Sequence, residues 1–378
     1  MFPQFNPLCL TCLGDILKKA ILLDFLNNSL SMLAAYFEQF RGPIQVATLP
    51  DPTPQPGAVV IRVRATGICR SDWHGWQGHD SDVHLPHVPG HELAGTIEAI
   101  GSEVKKWKPG DRVTVPFCVG CGDCPQCHQG QQQICDHYFQ PGFTAWGSFA
   151  EYVAIDHADH NLVRLPDEMD FSTAAVLGCR FITAWRGVTA QGRVRGGEWV
   201  AVYGCGGVGL SAIMIAAAFG AQPIAVDIDE EKLALALSLG AVAAVNVRKT
   251  PDVVAAVREI SKGGVQLSVD ALGSHETCKN SILSLRKRGR HVQMGLLAGD
   301  QANPPLPMGA VIANELEIIG SHGMQAHQFP SMLDMIVSGR IQPQRMLGKV
   351  VSLEEGIQEL MDLNSFRGNG VTVIGFPW

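Results

Sequence analysis

Three scattered residues have the chemistry of a metal site. Cys69 lies in "GICRSDWH", His91 in "PGHELAG" and Cys179 in "AAVLGCRFITAW". A thiolate and an imidazole are both good zinc ligands, and a catalytic zinc takes three protein ligands and keeps a fourth position open. Taken singly, a Cys or a His is more often a buried thiol or a hydrogen-bonded ring, so Cys69 and His91 need a third partner, and Cys179 is the candidate. A denser set stands in "CGDCPQCHQGQQQIC", where two, two and seven residues separate Cys121, Cys124, Cys127 and Cys135. A chain of 378 residues needs no disulfide staples, so this clustering points to metal in a reducing, cytoplasmic compartment.

A third constellation is built of glycine. Gly204, Gly206, Gly207 and Gly209 form G-x-G-G-x-G directly after the apolar run "WVAVY" and directly before an apolar helical stretch. In that context the first Gly makes a tight turn and the second lets the backbone approach a pyrophosphate. The third packs helix on strand, with the helix N-terminus facing the phosphates. Asp227 ends the next strand-like run, 18 residues after Gly209. A carboxylate there can accept hydrogen bonds from both adenosine ribose hydroxyls and would repel a 2′-phosphate, so the expected cofactor is NAD rather than NADP. Asp227 could also cap the helix that begins near Asp229.

Two kinds of sequence must position these groups. From about Tyr36 to Arg164 the text is strand-like and rich in turns, as in "AVVIRVRATG" and "KPGDRVTV". From about Trp185 to Gly320 short apolar runs such as "PIAVDI" and "VQLSVDALG" alternate with helical stretches such as "EEKLALALSLG". That alternation predicts a doubly wound parallel sheet in an α/β fold. The final "GVTVIGF" is strand-like again, so the C-terminus is expected to return to the first unit. The expected division is an N-terminal extension at 1–31, a catalytic domain at 32–180, a nucleotide domain at 181–320 and a return segment at 321–378.

Composition excludes other classes. A hydrophobic content of 46% and a charged content of 17% describe a globular chain. A net charge of -7 without a Lys/Arg-rich block argues against nucleic acid as a partner. No apolar run reaches the roughly 18 residues of a membrane span. Residues 1–31 lack the long uncharged core of a signal peptide and the arginines of a mitochondrial leader. They read as an added amphipathic helix or a translated upstream segment, with Met32 as an alternative start.

These motifs, with "PGHELAGTIEAIGSEVKKWKPGDRV", "GSFAEYV" and "VYGCGGVGL", resemble the zinc-dependent medium-chain alcohol dehydrogenases from Met32 to Trp378. The resemblance implies a GroES-like β-rich catalytic domain beside a Rossmann domain, an oxidoreductase acting on alcohols with NAD, and two zinc ions per chain. It implies that Cys69, His91 and Cys179 ligate the catalytic zinc, with Glu92 a neighbouring carboxylate able to approach the metal and Asp72 orienting the site. Cys121, Cys124, Cys127 and Cys135 then correspond to a structural zinc lobe, and four thiolates do close a tetrahedral site. An iron–sulfur reading fits less well, because that motif places its fourth Cys after three residues and follows it with Pro, whereas Asp136 follows Cys135. Cys9, Cys12, Cys118, Cys205 and Cys278 fall outside both sets and read as spare thiols.

By the same resemblance Ser71 is the hydroxyl beside the metal, and His74 the solvent end of a proton relay. Arg70 corresponds to a pyrophosphate contact and Lys232 to a ribose contact. Phe117 forms a substrate wall favouring an apolar alcohol over a polyol, with Trp73 and Trp146 as candidate neighbours. Many family members carry a phosphate-contacting Arg where this chain has Val371, and Arg367 is the nearby candidate to replace it. A chain starting at Met32 has the length of the shorter microbial form, which implies a homotetramer acting on a small-molecule substrate. Two alternatives are a polyol- or threonine-type dehydrogenase and a non-catalytic zinc- and dinucleotide-binding module. Sorbitol-type members commonly place a carboxylate at the position of Cys179, and a non-catalytic module would have a disrupted ligand triad; here the triad is intact.

Overall fold

The computed structural model describes residues 31–363 and 370–377. The chain opens with an antiparallel pair, β1 (Ser31–Tyr36) and β2 (Gln45–Pro50), in which Ser31 already faces Pro50. The expected boundary between residues 31 and 32 therefore falls one residue inside the first strand. Residues 1–30 lie outside the described residues.

The next strands are β3 (Val59–Gly67), β4 (Glu92–Ile100), β5 (Arg112–Thr114), β6 (Tyr152–Ile155) and β7 (Val163–Arg164). β3 is buried along most of its length and takes β4 as an antiparallel partner, with Gly67 opposite Glu92. This register matters, because the loops leaving both strand ends carry ligand candidates. Helical segments between Phe171 and Gln191 then lead out of this unit, two of them wound as π-helical turns at Leu177–Phe181 and Gly187–Gln191.

The second unit is a six-stranded sheet of β8 (Trp199–Tyr203), β9 (Gln222–Asp227), β10 (Ala243–Asn246), β11 (Val265–Asp270), β12 (Leu285–Gln293) and β13 (Glu317–Gly320). All five pairings are parallel, in the order β10-β9-β8-β11-β12-β13. Helices cover the sheet, so the short runs read from the sequence are apolar almost throughout, as buried parallel strands must be. The order reverses direction between β8 and β11, the place where such sheets bind ligands beyond the strand ends. After it, β14 (Leu347–Val351) and β15 (Val371–Gly375) return to the first unit, with β15 antiparallel to β3. This completes a seven-stranded sheet. One apolar core runs from Ala65, Ala94 and Phe117 through Leu177 and Phe181 to Val200 and Val202, so the two units share packed side chains.

Among the described residues no helix is long and apolar enough to cross a membrane.

Candidate active site

Cys69 sits where β3 ends and the helix Arg70–Trp76 begins, and it serves as that helix's N-cap. The chain there closes on Asp72, whose Oδ2 accepts from the Cys69 amide at 2.9 Å. Oδ1 of the same carboxylate accepts from the Gly90 amide at 3.1 Å and pairs with His91 Nδ1 at 2.8 Å. Gly90 has φ +106, and a Cβ there would run into Phe149 and Ser148, so glycine is required to turn the chain toward His91. One fully buried acid thus aligns two separate ligand loops. Glu92 starts β4 directly after His91, and Cys179 arrives from the π-helical turn Leu177–Phe181. Ligand atoms of Cys69, His91, Glu92 and Cys179 all lie within 4.8 Å of one another.

The donor set fits a zinc ion. With Nδ1 engaged by Asp72, His91 keeps Nε2, which is buried and bonded to no described group. A buried orphan nitrogen beside two sulfurs is the signature of a ligand position. Burial would push His91 down, but Asp72 and Cys69 together outweigh it and hold the ring well above the ordinary imidazole range, so a metal binding at Nε2 must displace a proton. A hydrogen bond from Cys179, with His91 and Arg180 nearby, holds the Cys69 thiol well below its usual value against the effect of burial. Burial raises Glu92 to about 7 against the opposing charge of Arg180.

The second cysteine set folds into a separate lobe. Cys124 caps a single helical turn, Pro125–His128, that presents Cys127. Backbone amides of Cys121, Asp123, Cys127 and His137 lie 3.2–3.5 Å from the sulfurs of Cys135, Cys121, Cys124 and Cys135. The Cys121–Cys127 and Cys124–Cys135 sulfur pairs are 4.0 and 3.7 Å apart. Tetrahedral zinc with Zn–S near 2.3 Å requires sulfur edges of about 3.8 Å. Four thiolates fit that ion and leave no position for a substrate. Cys118, Cys205 and Cys278 are buried apart from both sets, while Cys9 and Cys12 lie outside the described residues.

The glycine turn follows β8. Gly204 has φ +91 and donates to the Val226 carbonyl at 2.8 Å. Gly206 is the N-cap of the helix Gly207–Ala218, and a Cβ on it would meet nothing within 4 Å, which leaves the approach to the helix N-terminus open. A Cβ on Gly209 would collide with the Gly204 carbonyl, so helix and strand pack only through glycine. Asp227 binds the turn from the neighbouring strand: Oδ2 accepts from the Cys205 amide at 2.6 Å, and Oδ1 from Ile228 and Asp229 at 2.7 and 3.0 Å. Three of about four acceptor positions are therefore filled, leaving Oδ2 room for one ribose hydroxyl where the sequence reading expects two. The N-cap of the helix Glu230–Ser238 is Asp229 and not Asp227; its carboxylate accepts from the amides of Glu231 and Lys232.

Other expected residues fall at varied distances from this centre. Ser71 Oγ lies 3.7 Å from Cys69 Sγ. His74 Nδ1 lies 3.0 Å from His79 Nδ1, and Trp73 stands edge-on to both rings. Burial, Arg70 and His79 lower the His74 pKa. The Arg70 guanidinium lies 5.4 Å from the Trp73 ring centroid. Phe117 and Phe143 stand edge-on to His91, with ring centroids 6.1 and 5.4 Å away. Trp146 is no part of this wall; it is partly exposed against Tyr36, and its Nε1 donates to the Pro86 carbonyl. Val371 is buried in the core, and Arg367 lies outside the described residues.

Besides Phe143, two residues enter the site unforeseen. His322 stacks edge-on to Phe117 at 5.2 Å and is held by a hydrogen bond from Nδ1 to the Gln133 carbonyl. Arg180 donates from Nε to Glu92 Oε1 at 3.0 Å and from Nη2 to the Ile68 carbonyl at 2.7 Å. A single charge inside the apolar run "AAVLGCRFITAW" was the available signal for Arg180, since a buried guanidinium needs a partner. The loop "SHGM" carries no comparable signal for His322.

Residues 55–167 match the family model of the alcohol dehydrogenase GroES-like domain, and residues 207–338 that of the zinc-binding dehydrogenases. An alcohol dehydrogenase of Geobacillus stearothermophilus is 37% identical over 77% of this chain and 84% of its own length. An NAD-dependent alcohol dehydrogenase of Sulfurisphaera tokodaii is 32% identical over 91% of this chain and 99% of its own. The crystal structure of benzyl alcohol dehydrogenase from Acinetobacter calcoaceticus is similar with a TM-score of 0.86 at 27% identity, covering 92% of this chain and 100% of its own.

Proposed function

The chain belongs to the zinc-dependent medium-chain alcohol dehydrogenases, and from that membership we propose how its residues divide the work of an NAD-dependent alcohol oxidation. The reaction is the reversible conversion of a primary or secondary alcohol to its aldehyde or ketone. Bound zinc supplies a Lewis acid for the substrate oxygen, and the nicotinamide supplies the hydride acceptor.

Cys69, His91 and Cys179 hold the catalytic ion, and Asp72 fixes His91 in the tautomer that leaves Nε2 free. The observation that carries this reading is the orphan Nε2 of His91 beside the two thiols. Ser71, at 3.7 Å from Cys69 Sγ, stands at the inner end of the proton's exit and His74 at the outer end. Its lowered pKa keeps His74 neutral near pH 7 and able to accept that proton. Cys121, Cys124, Cys127 and Cys135 hold a second, structural zinc.

Gly204 to Gly209 and the helix N-terminus receive the pyrophosphate, while Asp227 and Lys232 take the adenosine ribose. A 2′-phosphate placed about 4 Å from the Asp227 carboxylate would be repelled by roughly 4 kcal/mol at an effective dielectric near 20. That sets an upper preference for NAD on the order of a thousandfold. Phe117, Phe143 and His322 make an aromatic wall beside His91, which favours apolar and aromatic alcohols over polyols. A benzyl alcohol dehydrogenase among the structural relatives supports that choice. The protein acts as a homo-oligomer.

The test is a panel of benzyl alcohol, short aliphatic alcohols, sorbitol and threonine, assayed for NADH and NADPH formation, with zinc measured on the same preparation. Two zinc ions per chain and the highest kcat/KM for an apolar alcohol with NAD are expected. Fewer than two in active enzyme, or preference for a polyol, defeats the assignment.

A further inference from the structure

The geometry points to Arg180 as a positioning residue that joins the metal centre to the cofactor site. Its guanidinium holds the Glu92 carboxylate out of the open coordination position and turns its remaining edge to the dinucleotide phosphates. The inference rests on the zinc and NAD assignments above.

Arg180 directly follows the ligand Cys179, and its side chain is 8% exposed. Nε lies 3.0 Å from Glu92 Oε1, and Nη2 lies 2.7 Å from Oε2 and 2.7 Å from the Ile68 carbonyl. Nε thus hydrogen-bonds Oε1, while Oε2 meets Nη2 only as an ion pair and accepts no hydrogen bond among the described residues. The carboxylate is fully buried, with a ligand oxygen within 4.8 Å of the two sulfurs. Glycines on both sides make room for the pair. A Cβ on Gly67, opposite Glu92 in the sheet, would collide with Oε2. A Cβ on Gly207 would stand 2.7 Å from Arg180 Cδ and 3.2 Å from Nη1. Gly207, the one glycine of the turn that the dinucleotide motif does not require, is thus explained by Arg180.

Charge balance says what the pair does. Two thiolates cancel one divalent cation, and Arg180 cancels Glu92. Without Arg180, Glu92 would be a buried anion whose nearest cation is the metal, and it would close the position that substrate needs. Nη1, the nitrogen not engaged by Glu92 or Ile68, stands against the first residue of the helix whose N-terminus receives the phosphates. Val371, buried in the core, offers no charge to them.

The experiment compares native protein, Arg180→Met and the double variant Arg180→Met/Glu92→Gln, which buries no uncompensated charge and carries the test if the single variant does not fold. NADH binding is followed by fluorescence titration, and retention of the catalytic zinc by competition with a chelator. Both variants should bind NADH about tenfold more weakly, the loss of one charge-assisted hydrogen bond. Arg180→Met, if folded, should release its catalytic zinc more slowly than native, because Glu92 joins the ion; the double variant should lose that extra retention. NADH affinity within twofold of native in the double variant, or faster zinc release in folded Arg180→Met, overturns the inference. A native protein that binds neither zinc nor NADH instead overturns the assignments beneath it.

Discussion

Asp72 shows how much of the site depends on one acceptor. Its two oxygens take the Cys69 amide from one ligand loop and the adjacent Gly90 amide and His91 Nδ1 from the other. Asp72→Asn replaces one acceptor oxygen with a donor, so the variant must give up either the Cys69 or the His91 contact. Zinc affinity at the catalytic site should fall about 10- to 100-fold, the usual effect of removing a group that orients a ligand. Chelator competition measures it, and an unchanged affinity would remove Asp72 from its orienting role. Residues of this kind were legible because cysteine, histidine and acid carry their chemistry in their type and spacing. Arg180 and His322 were not, because their roles come from contacts 88 and 189 residues away along the chain, at Glu92 and Gln133. Trp146 failed for the opposite reason: a large aromatic suits many places, and this one packs on Tyr36 near the surface.

Elements read from period and punctuation came through most directly. The runs from "WVAVY" to "VQLSVD" became parallel strands through their buried apolar residues, and the glycine turn followed from its place between strand and helix. The strand holding "RHVQ" carries the exposed Arg286, Lys287 and Arg288 near its start. Less legible was the role of the carboxylate at the end of β9. Asp227 holds the turn with three backbone bonds, and the capping falls to Asp229 two residues on. The π-helical turn that delivers Cys179 and Arg180 has no signature in composition. Gly209→Ala tests the strand–turn–helix unit as a whole, since the added methyl meets the Gly204 carbonyl. Overpacking of this kind costs about 1–3 kcal/mol, so a lowered melting temperature and weakened NADH binding are expected together, and native values for both would show that the unit tolerates a side chain there. β12 carries a second dependence, on pH. His291 is buried with Ser281 Oγ 3.0 Å from Nδ1, and burial holds its pKa below the ordinary value. Between the folded value and the unfolded value near 6.5 the unfolded chain binds a proton that the folded chain refuses, so stability falls as pH drops through that window. Thermal melts at about pH 7.5 and about pH 5 should show a smaller acid loss for His291→Gln than for native protein; equal losses would place the acid sensitivity elsewhere, His87 being the other deeply buried imidazole whose pKa is lowered.

The molecule as a whole leaves one side of the nucleotide unit unfinished. β13 stands at the edge of the six-stranded sheet and pairs only with β12 among the described strands, so its outer row of amides and carbonyls has no ladder partner there. An unprotected edge strand is a template for pairing. The helix Met308–Asn314 just before it has no buried residue, although Met308 is 49% and Ile312 75% exposed. Ile318 on the strand and Leu306 before the helix are exposed as well. A seven-residue helix is too short to be stable in water by propensity alone, and here it packs no residue fully into its own chain. Its apolar face and the strand edge together form a surface that a second copy, related by a twofold axis, could cover with the same residues. We propose this surface as the place where the oligomer expected from chain length makes its contact. Sedimentation of the native protein should show a stable oligomer, and Ile312→Glu should shift it toward smaller species by placing a charge at the centre of the covered surface. A native monomer would refute the oligomer itself; an Ile312→Glu variant that sediments like native protein would keep the oligomer and move its interface away from β13.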